Sequence, residues 1–208
     1  MDELKQLIIL NALIFSPSES ISHGGVVVAL PPHVEEKVEE PLEENPHTHH
    51  RILALLETNA CTFRTLVHAP TRTSEESAQV RGVELASGAK AMLLKCSKDL
   101  PHGAPYLLAV LSASRKADLK LLRTSLGQKS VSLASVEDVA RLTGCVPGAV
   151  PPFGSLFPGV RTYVDLSIVE RSHINFNAGL RGFSVCDLPV SEYLRVECPQ
   201  VLGFTTSI

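Results

Sequence analysis

The sequence predicts an α/β domain of the α+β type, with a mixed, largely antiparallel central sheet surrounded by helices. Three observations lead there. Residues 89–96 and 106–112 are nearly continuous apolar runs bounded by breakers, as central strands covered on both faces require. Helical and strand patterns interleave, but too irregularly for strict βαβ repetition. With 208 residues, 44% hydrophobic and 20% charged, the chain holds enough apolar mass for one sizeable core.

The elements follow in order. Residues 1–46 form an acidic leader with nine acids against two bases, a net charge of −7, so the rest of the chain carries +4 within the overall −3. The leader has a helix-like apolar stretch at residues 4–14, a Ser/Pro/Gly patch at 16–25 and a Glu-rich run at 34–44. Repeated Glu with few apolar partners buries too little surface to offset ordering entropy, which predicts flexibility. Thr48 is placed to cap a helix whose Ile52, Leu53, Leu55 and Leu56 recur at helical spacing, ended by Asn59 and Ala60. β-branched and aromatic content makes 61–68 a strand, and 74–80 reads as a short capped helix. A polar loop at 97–105 joins the two apolar runs. Residues 116–126 form an amphipathic helix with Leu119, Leu122 and Leu126 on one stripe and Gly127 as its stop. Residues 130–134 alternate as a strand, and the capping-box-like Ser135-Val-Glu-Asp138 starts a helix to about Leu142. Beyond a Pro/Gly loop, 162–166, 174–176 and 183–185 are expected strands, and 189–195 a closing helix.

Composition removes several classes of function. The longest apolar runs, 7–15 and 106–113, fall well short of the roughly 20 residues of a membrane-spanning helix. The chain opens with Asp2, Glu3 and only Lys5, unlike the basic start of a signal peptide, so a cytoplasmic protein with no membrane role is expected. Cys61, Cys96, Cys145, Cys186 and Cys198 are scattered without CxxC or metal-finger spacing, which predicts reduced, packed thiols. No Trp and 5% aromatic residues argue against stacking platforms for single-stranded nucleic acid. The motifs GxGxxG, GxxxxGK[ST] and GxSxG are missing, which disfavours the familiar cofactor enzymes and the serine hydrolase elbow. His47, His49 and His50 read as an exposed polar run at a helix start, since no acid or thiol follows at ligand spacing. Neither a metal nor an organic cofactor is expected.

Two features carry chemistry. Lys90 stands between Ala89 and Ala91 at the head of an apolar strand, so it either enters a cleft, where a mobile ammonium suits a phosphate, or snorkels to solvent as an ordinary strand-end lysine. The loop Gly144-Cys-Val-Pro-Gly-Ala-Val-Pro-Pro-Phe-Gly154 has prolines that fix φ and glycines that permit close approach. Main-chain N–H groups of Gly148, Ala149 and Val150 could then point at an anion or carbonyl oxygen, without any nucleophilic side chain. A plain irregular turn is the alternative.

Gly88-Ala-Lys-Ala-Met-Leu-Leu-Lys95, then Leu142-Thr-Gly-Cys-Val-Pro-Gly-Ala-Val-Pro-Pro-Phe-Gly154, then Ile174-Asn-Phe-Asn-Ala-Gly179 resemble, in order and spacing, the YbaK/ProX family of aminoacyl-tRNA deacylases. The resemblance runs from about Thr48 to Phe204 and is strongest toward the free-standing YeaK-like branch. It implies a single YbaK-like domain at 47–208 that hydrolyses the ester of a mischarged aminoacyl-tRNA, with Lys90 binding the terminal nucleotide near its phosphate. It further implies that the loop from Gly148 through Pro151, Pro152 and Phe153 to Gly154 holds the aminoacyl carbonyl, with water helped by the substrate's own groups. Leu66 and His68 are implied pocket walls, joined by Asn177 and Ser184. Where the Cys-tRNA-specific branch has Gly-Gly-Ile-Ser-Pro, this chain reads Gly148-Ala-Val-Pro-Pro152, and Ser184 replaces an Asp after Arg181-Gly182. Those departures, with small Ala149 and Val150, favour Ser, Ala or Thr as the edited residue. The implied partner is the acceptor end of tRNA, with an aminoacyl-tRNA synthetase as an optional one. Arg115, Lys116, Lys120, Arg123 and Lys129 form a supporting basic patch or simply a solvated helix face. A non-catalytic tRNA-acceptor or synthetase-binding module on the same fold, and a hydrolase of some other small acyl ester, stay open.

Overall fold

The structure, a computed structural model, describes residues 44–207; the expectations for the leader's helix and flexibility lie outside them. In chain order the elements are α1 (His47–Thr58), β1 (Arg64–Val67), α2 (Ser74–Arg81), β2 (Ala89–Cys96), β3 (Tyr106–Ser112), β4 (Arg115–Ala117), α3 (Leu119–Ser125), β5 (Val131–Leu133), α4 (Val136–Thr143), β6 (Val160–Val164), α5 (Leu166–Val169), β7 (His173–Leu180), β8 (Phe183–Pro189), α6 (Val190–Glu197), β9 (Gln200–Val201) and β10 (Thr205–Ser207).

A five-stranded sheet of order β5-β2-β3-β6-β9 forms the centre, antiparallel across β5-β2-β3 and parallel across β3-β6-β9. Two smaller antiparallel sheets, β1-β8-β7 and β10-β4, flank it. Because side chains alternate across a strand, β2 and β3 feed two cores. Leu93, Leu108 and Val110 join Ile52 and Leu56 of α1, Val139 of α4, Phe176 of β7 and Tyr193 of α6. Leu94, Leu107, Ala109 and Leu111 join Leu122 of α3 and Phe204 on the opposite face. Each such leucine, fully buried, contributes on the order of 1.5–3 kcal/mol. This two-sided burial is what the apolar run of β3 encodes, and that of β2 between its exposed Lys90 and Lys95.

Several boundaries differ from expectation, each for a local reason. Arg115–Ala117 pairs with β10, so the helix expected from Lys116 begins at Leu119 instead, capped by Asp118, whose carboxylate accepts from the Leu121 N–H at 2.9 Å. Thr48 does not cap α1: Pro46 precedes the helix and the Thr48 hydroxyl donates to the Thr143 carbonyl. The strand expected through residue 166 stops at Val164, because Asp165 caps the short α5. His49 is buried rather than part of an exposed run; its Nδ1 lies 2.9 Å from the Ala178 carbonyl and its ring meets Phe183 edge-on. Glu44, the last acid of the Glu-rich run, binds Arg181 through its N–H at 3.0 Å and its Nε at 2.8 Å.

Candidate functional site

Between α2, the head of β2, the β5–α4 junction, the loop at 147–150 and β7 lies a cavity of about 500 Å³. Lys90, Arg72 and Arg81 are on its wall, and among the described residues no Asp or Glu is. Apolar side chains, among them Leu93, Val139, Val150 and Phe176, form much of the remainder. A cavity that collects cations without carboxylates favours an anionic ligand, because each uncompensated charge gains by meeting an opposite one in a partly desolvated place.

Lys90 is exposed, and its Nζ has no hydrogen-bond or ion-pair partner among the described residues. It reaches the cavity because β5 pairs with β2 only at Leu94–Cys96, leaving the first half of β2 uncovered on that edge. Lys90 thus stands on the cavity wall while open to solvent.

The loop is held from behind. Ala149 is fully buried; its N–H donates to the Val146 carbonyl at 3.1 Å and its carbonyl accepts from the Gly179 N–H at 2.9 Å. Gly148 stands at φ +87°, a region open to glycine, with nothing near its would-be side chain. The Gly148 carbonyl accepts from Asn177 Nδ2 at 2.9 Å. The amides of Gly148 and Val150 have no protein acceptor among the described residues, and both residues line the cavity. Pro151, Pro152, Phe153 and Gly154 are buried away from it. The Pro152 carbonyl takes the Tyr193 hydroxyl at 3.0 Å, Phe153 packs edge-on to Tyr193, and the Gly154 N–H donates to Thr162 Oγ1 at 2.8 Å. Thr162 in turn donates to Glu197, a carboxyl pushed up from its ordinary range chiefly by burial. This second half of the loop is an anchor, not a wall.

Leu66, His68 and Ser184 also lie off the cavity wall. His68 and Ser184 are nonetheless joined to it by a residue that sequence reasoning missed. Arg81, the last residue of α2, is only 8% exposed, and burial brings its guanidinium down to about 10. Its Nε donates to Ser184 Oγ at 2.8 Å, and its Nη2 donates to Asn177 Oδ1 at 2.5 Å. His68 Nε2 lies 2.7 Å from Ser184 Oγ, and its Nδ1 donates to the Ala69 carbonyl at 2.8 Å. Arg81 has no carboxylate partner among the described residues. What aims it inward is a helix closed at both ends: Thr73 and Glu76 form a capping box, and Gly82 at φ +66° stops the helix one residue after Arg81. A basic residue in a helix's last turn ordinarily signals a dipole contact with solvent, so its burial leaves no mark in the sequence.

Arg115, Lys116, Lys120, Arg123 and Lys129 belong to β4, α3 and the turn after it; Leu122 of α3 packs in the core on the sheet face opposite the cavity. Among the described residues no three His, Cys, Asp or Glu side chains gather where a metal ion could sit, and no helix is long and apolar enough to cross a membrane.

Fold and cavity together define a class: an α/β domain whose cavity has Lys90, Arg72 and Arg81 on its wall beside a loop with two main-chain amides that have no acceptor among the described residues. The comparisons with known proteins narrow it. The model of the aminoacyl-tRNA editing domain matches residues 68–190. The chain is 38% identical over 158 residues to the multifunctional Ser/Thr-tRNA deacylase ProXp-y of Escherichia coli K12, spanning 76% of this chain and 92% of that protein. It is 28% identical over 144 residues to the prolyl-tRNA editing protein ProX of Acetoanaerobium sticklandii, spanning 66% and 85%. The crystal structure of the hypothetical protein APE2540 shares the fold, with a TM-score of 0.66 and 22% identity over 75% of this chain and 99% of that one. The chain belongs to the aminoacyl-tRNA editing domain family, and its class is that of an aminoacyl-tRNA deacylase.

Proposed function

We propose that the protein acts in trans, in the cytoplasm, on tRNA mischarged with a small amino acid (Ser, Thr or Ala), cleaving the ester to the 3′-terminal adenosine. The observation that carries this reading is the cavity itself, with Lys90, Arg72 and Arg81 on its wall and, among the described residues, no carboxylate there and two amides without acceptors. Lys90 holds the terminal nucleotide near its phosphate. The Gly148 and Val150 N–H groups receive the carbonyl oxygen as water adds to the carbonyl carbon and negative charge develops. The C–O bond to the ribose then breaks, the ribose oxygen takes a proton, and free amino acid and intact tRNA leave. The bases that move protons belong to the substrate, so positioning and oxyanion stabilisation supply the acceleration, which an activated ester allows. Val150 on the wall keeps the amino-acid end small, and the name of the Escherichia coli relative, a Ser/Thr-tRNA deacylase, favours hydroxyl-bearing residues. Pocket fit discriminates a methylene by only about 1–3 kcal/mol, so several small residues are accepted.

Deacylation of Ser-, Thr- and Ala-tRNA by the wild type and by Lys90→Ala tests this, with circular dichroism to establish that both are folded. Loss of a charge-assisted contact predicts a drop of about 10- to 100-fold in kcat/KM for the variant. A wild type that hydrolyses none of the three, while still binding tRNA, would replace the reading with that of a non-catalytic acceptor-end module.

A further inference from the structure

The chain His68, Ser184, Arg81, Asn177, Gly148 ends on the carbonyl of the loop that the proposed reaction uses, and its middle member is a buried cation with no anionic partner among the described residues. Such a guanidinium is unfavourable for stability alone, since an unpaired charge loses its hydration. We propose that Arg81 is a positioning residue: through Asn177 it sets the orientation of the Gly148–Val150 main chain, so that the amides of Gly148 and Val150 face the ligand. This rests on the deacylase reading for its consequence in rate, but not for its geometry.

The orientation follows from planar trans peptides. In the peptide joining Gly148 to Ala149, the oxygen accepts from Asn177 Nδ2 and the N–H donates to Val146, so the plane is held at both ends. In the next peptide the Ala149 oxygen accepts from Gly179, which turns the Val150 N–H the opposite way. Asn177 does its part only in one of its two amide orientations, oxygen toward Arg81 and nitrogen toward Gly148. The Arg81 Nη2 donor selects that orientation, because the flipped amide would set two donors face to face. Arg81 is itself fixed at Nε by Ser184. Lysine carries the charge and three donors, but all on one nitrogen; without the planar fork that spans Nε and Nη2 it cannot hold Ser184 and Asn177 in this geometry.

The test is a double-mutant cycle of Arg81→Ala and Asn177→Ala, with Arg81→Lys beside it, read on purified, folded protein in two ways. In single-turnover deacylation, each alanine variant should lose about 10- to 100-fold in the chemical rate with little change in KM. The double variant should be no more than about 3-fold worse than the worse single, and Arg81→Lys should fail to restore the rate. In 1H–15N spectra of the free protein, the Gly148 and Val150 amide resonances should move in the same direction in both single variants. Additive losses, a folded Arg81→Ala with the wild-type rate, or loop amides left in place by Arg81→Ala would each overturn the proposal. Should the wild type prove inactive on every aminoacyl-tRNA, the deacylase reading falls and the amide shifts still decide for or against the Arg81–Asn177–Gly148 coupling.

Discussion

Asp165 shows how one side chain holds an end of the sheet without touching the cavity. Buried between β6 and α5, it accepts from the Ser167 N–H at 2.9 Å, the Phe204 N–H at 2.7 Å and the Thr205 hydroxyl at 2.9 Å. Burial pushes this carboxyl up, but the hydrogen bonds from Phe204, Ser167 and Thr205 outweigh it and hold it below its ordinary range. A depressed folded-state value means stability that is present above the unfolded carboxyl's range near 4 and lost as pH falls through the folded value. Asp165→Asn is therefore expected to lose about 1–3 kcal/mol at pH 7 by urea unfolding, with the gap to wild type closing toward pH 3. A gap independent of pH would remove the ionised carboxylate from the explanation.

Among elements, the loop at 144–154 divides its labour in a way that substitution can expose. A Cβ on Gly154 would stand 2.5 Å from Thr162 Oγ1 and 3.2 Å from the Thr162 nitrogen, whereas one on Gly148 meets nothing within 4 Å. Gly154→Ala is expected to destabilise by about 1–3 kcal/mol, a fall in Tm of roughly 3–10 °C, as overpacking does. Gly148→Ala strains only its own φ, so it should lower the deacylation rate while moving Tm by no more than a few degrees. Equal Tm losses in the two would contradict the division. The sequence showed the loop, Lys90 and the covered strands because each has a local signature: paired prolines, a charge inside an apolar run, uninterrupted aliphatic residues. It concealed Arg81, since burial of a helix-end arginine is decided by β7 and β8, about a hundred residues away in the chain. It also concealed β9, β10 and α5, which are too short to show periodicity and exist through their partners. The proline and glycine content of the loop points to Ala149 as a donor, whereas its amide is spent within the loop on Val146.

For the molecule as a whole, charge sets how tRNA is met. Residues 47–208 carry only +4, and the cations on the cavity wall are three. With about 0.7 of a counterion released per single-strand phosphate, contact confined to the two exposed ones, Lys90 and Arg72, predicts a slope of about −1.4 in the logarithm of the association constant against the logarithm of salt. A slope several times steeper, measured with non-hydrolysable aminoacyl-tRNA, would bring in the basic residues of β4 and α3. The uncharged Gly148–Val150 segment has a different reach. In the proposed reaction its donors are amides of the backbone, which every residue except proline supplies, so on that proposal the side chain of Val150 is free to vary in size without deleting a donor. Successive generations can thus trade one edited amino acid for another at that position while the machinery of hydrolysis passes through unaltered, and a lineage with a changed diet of mischarged tRNA need not reinvent its chemistry.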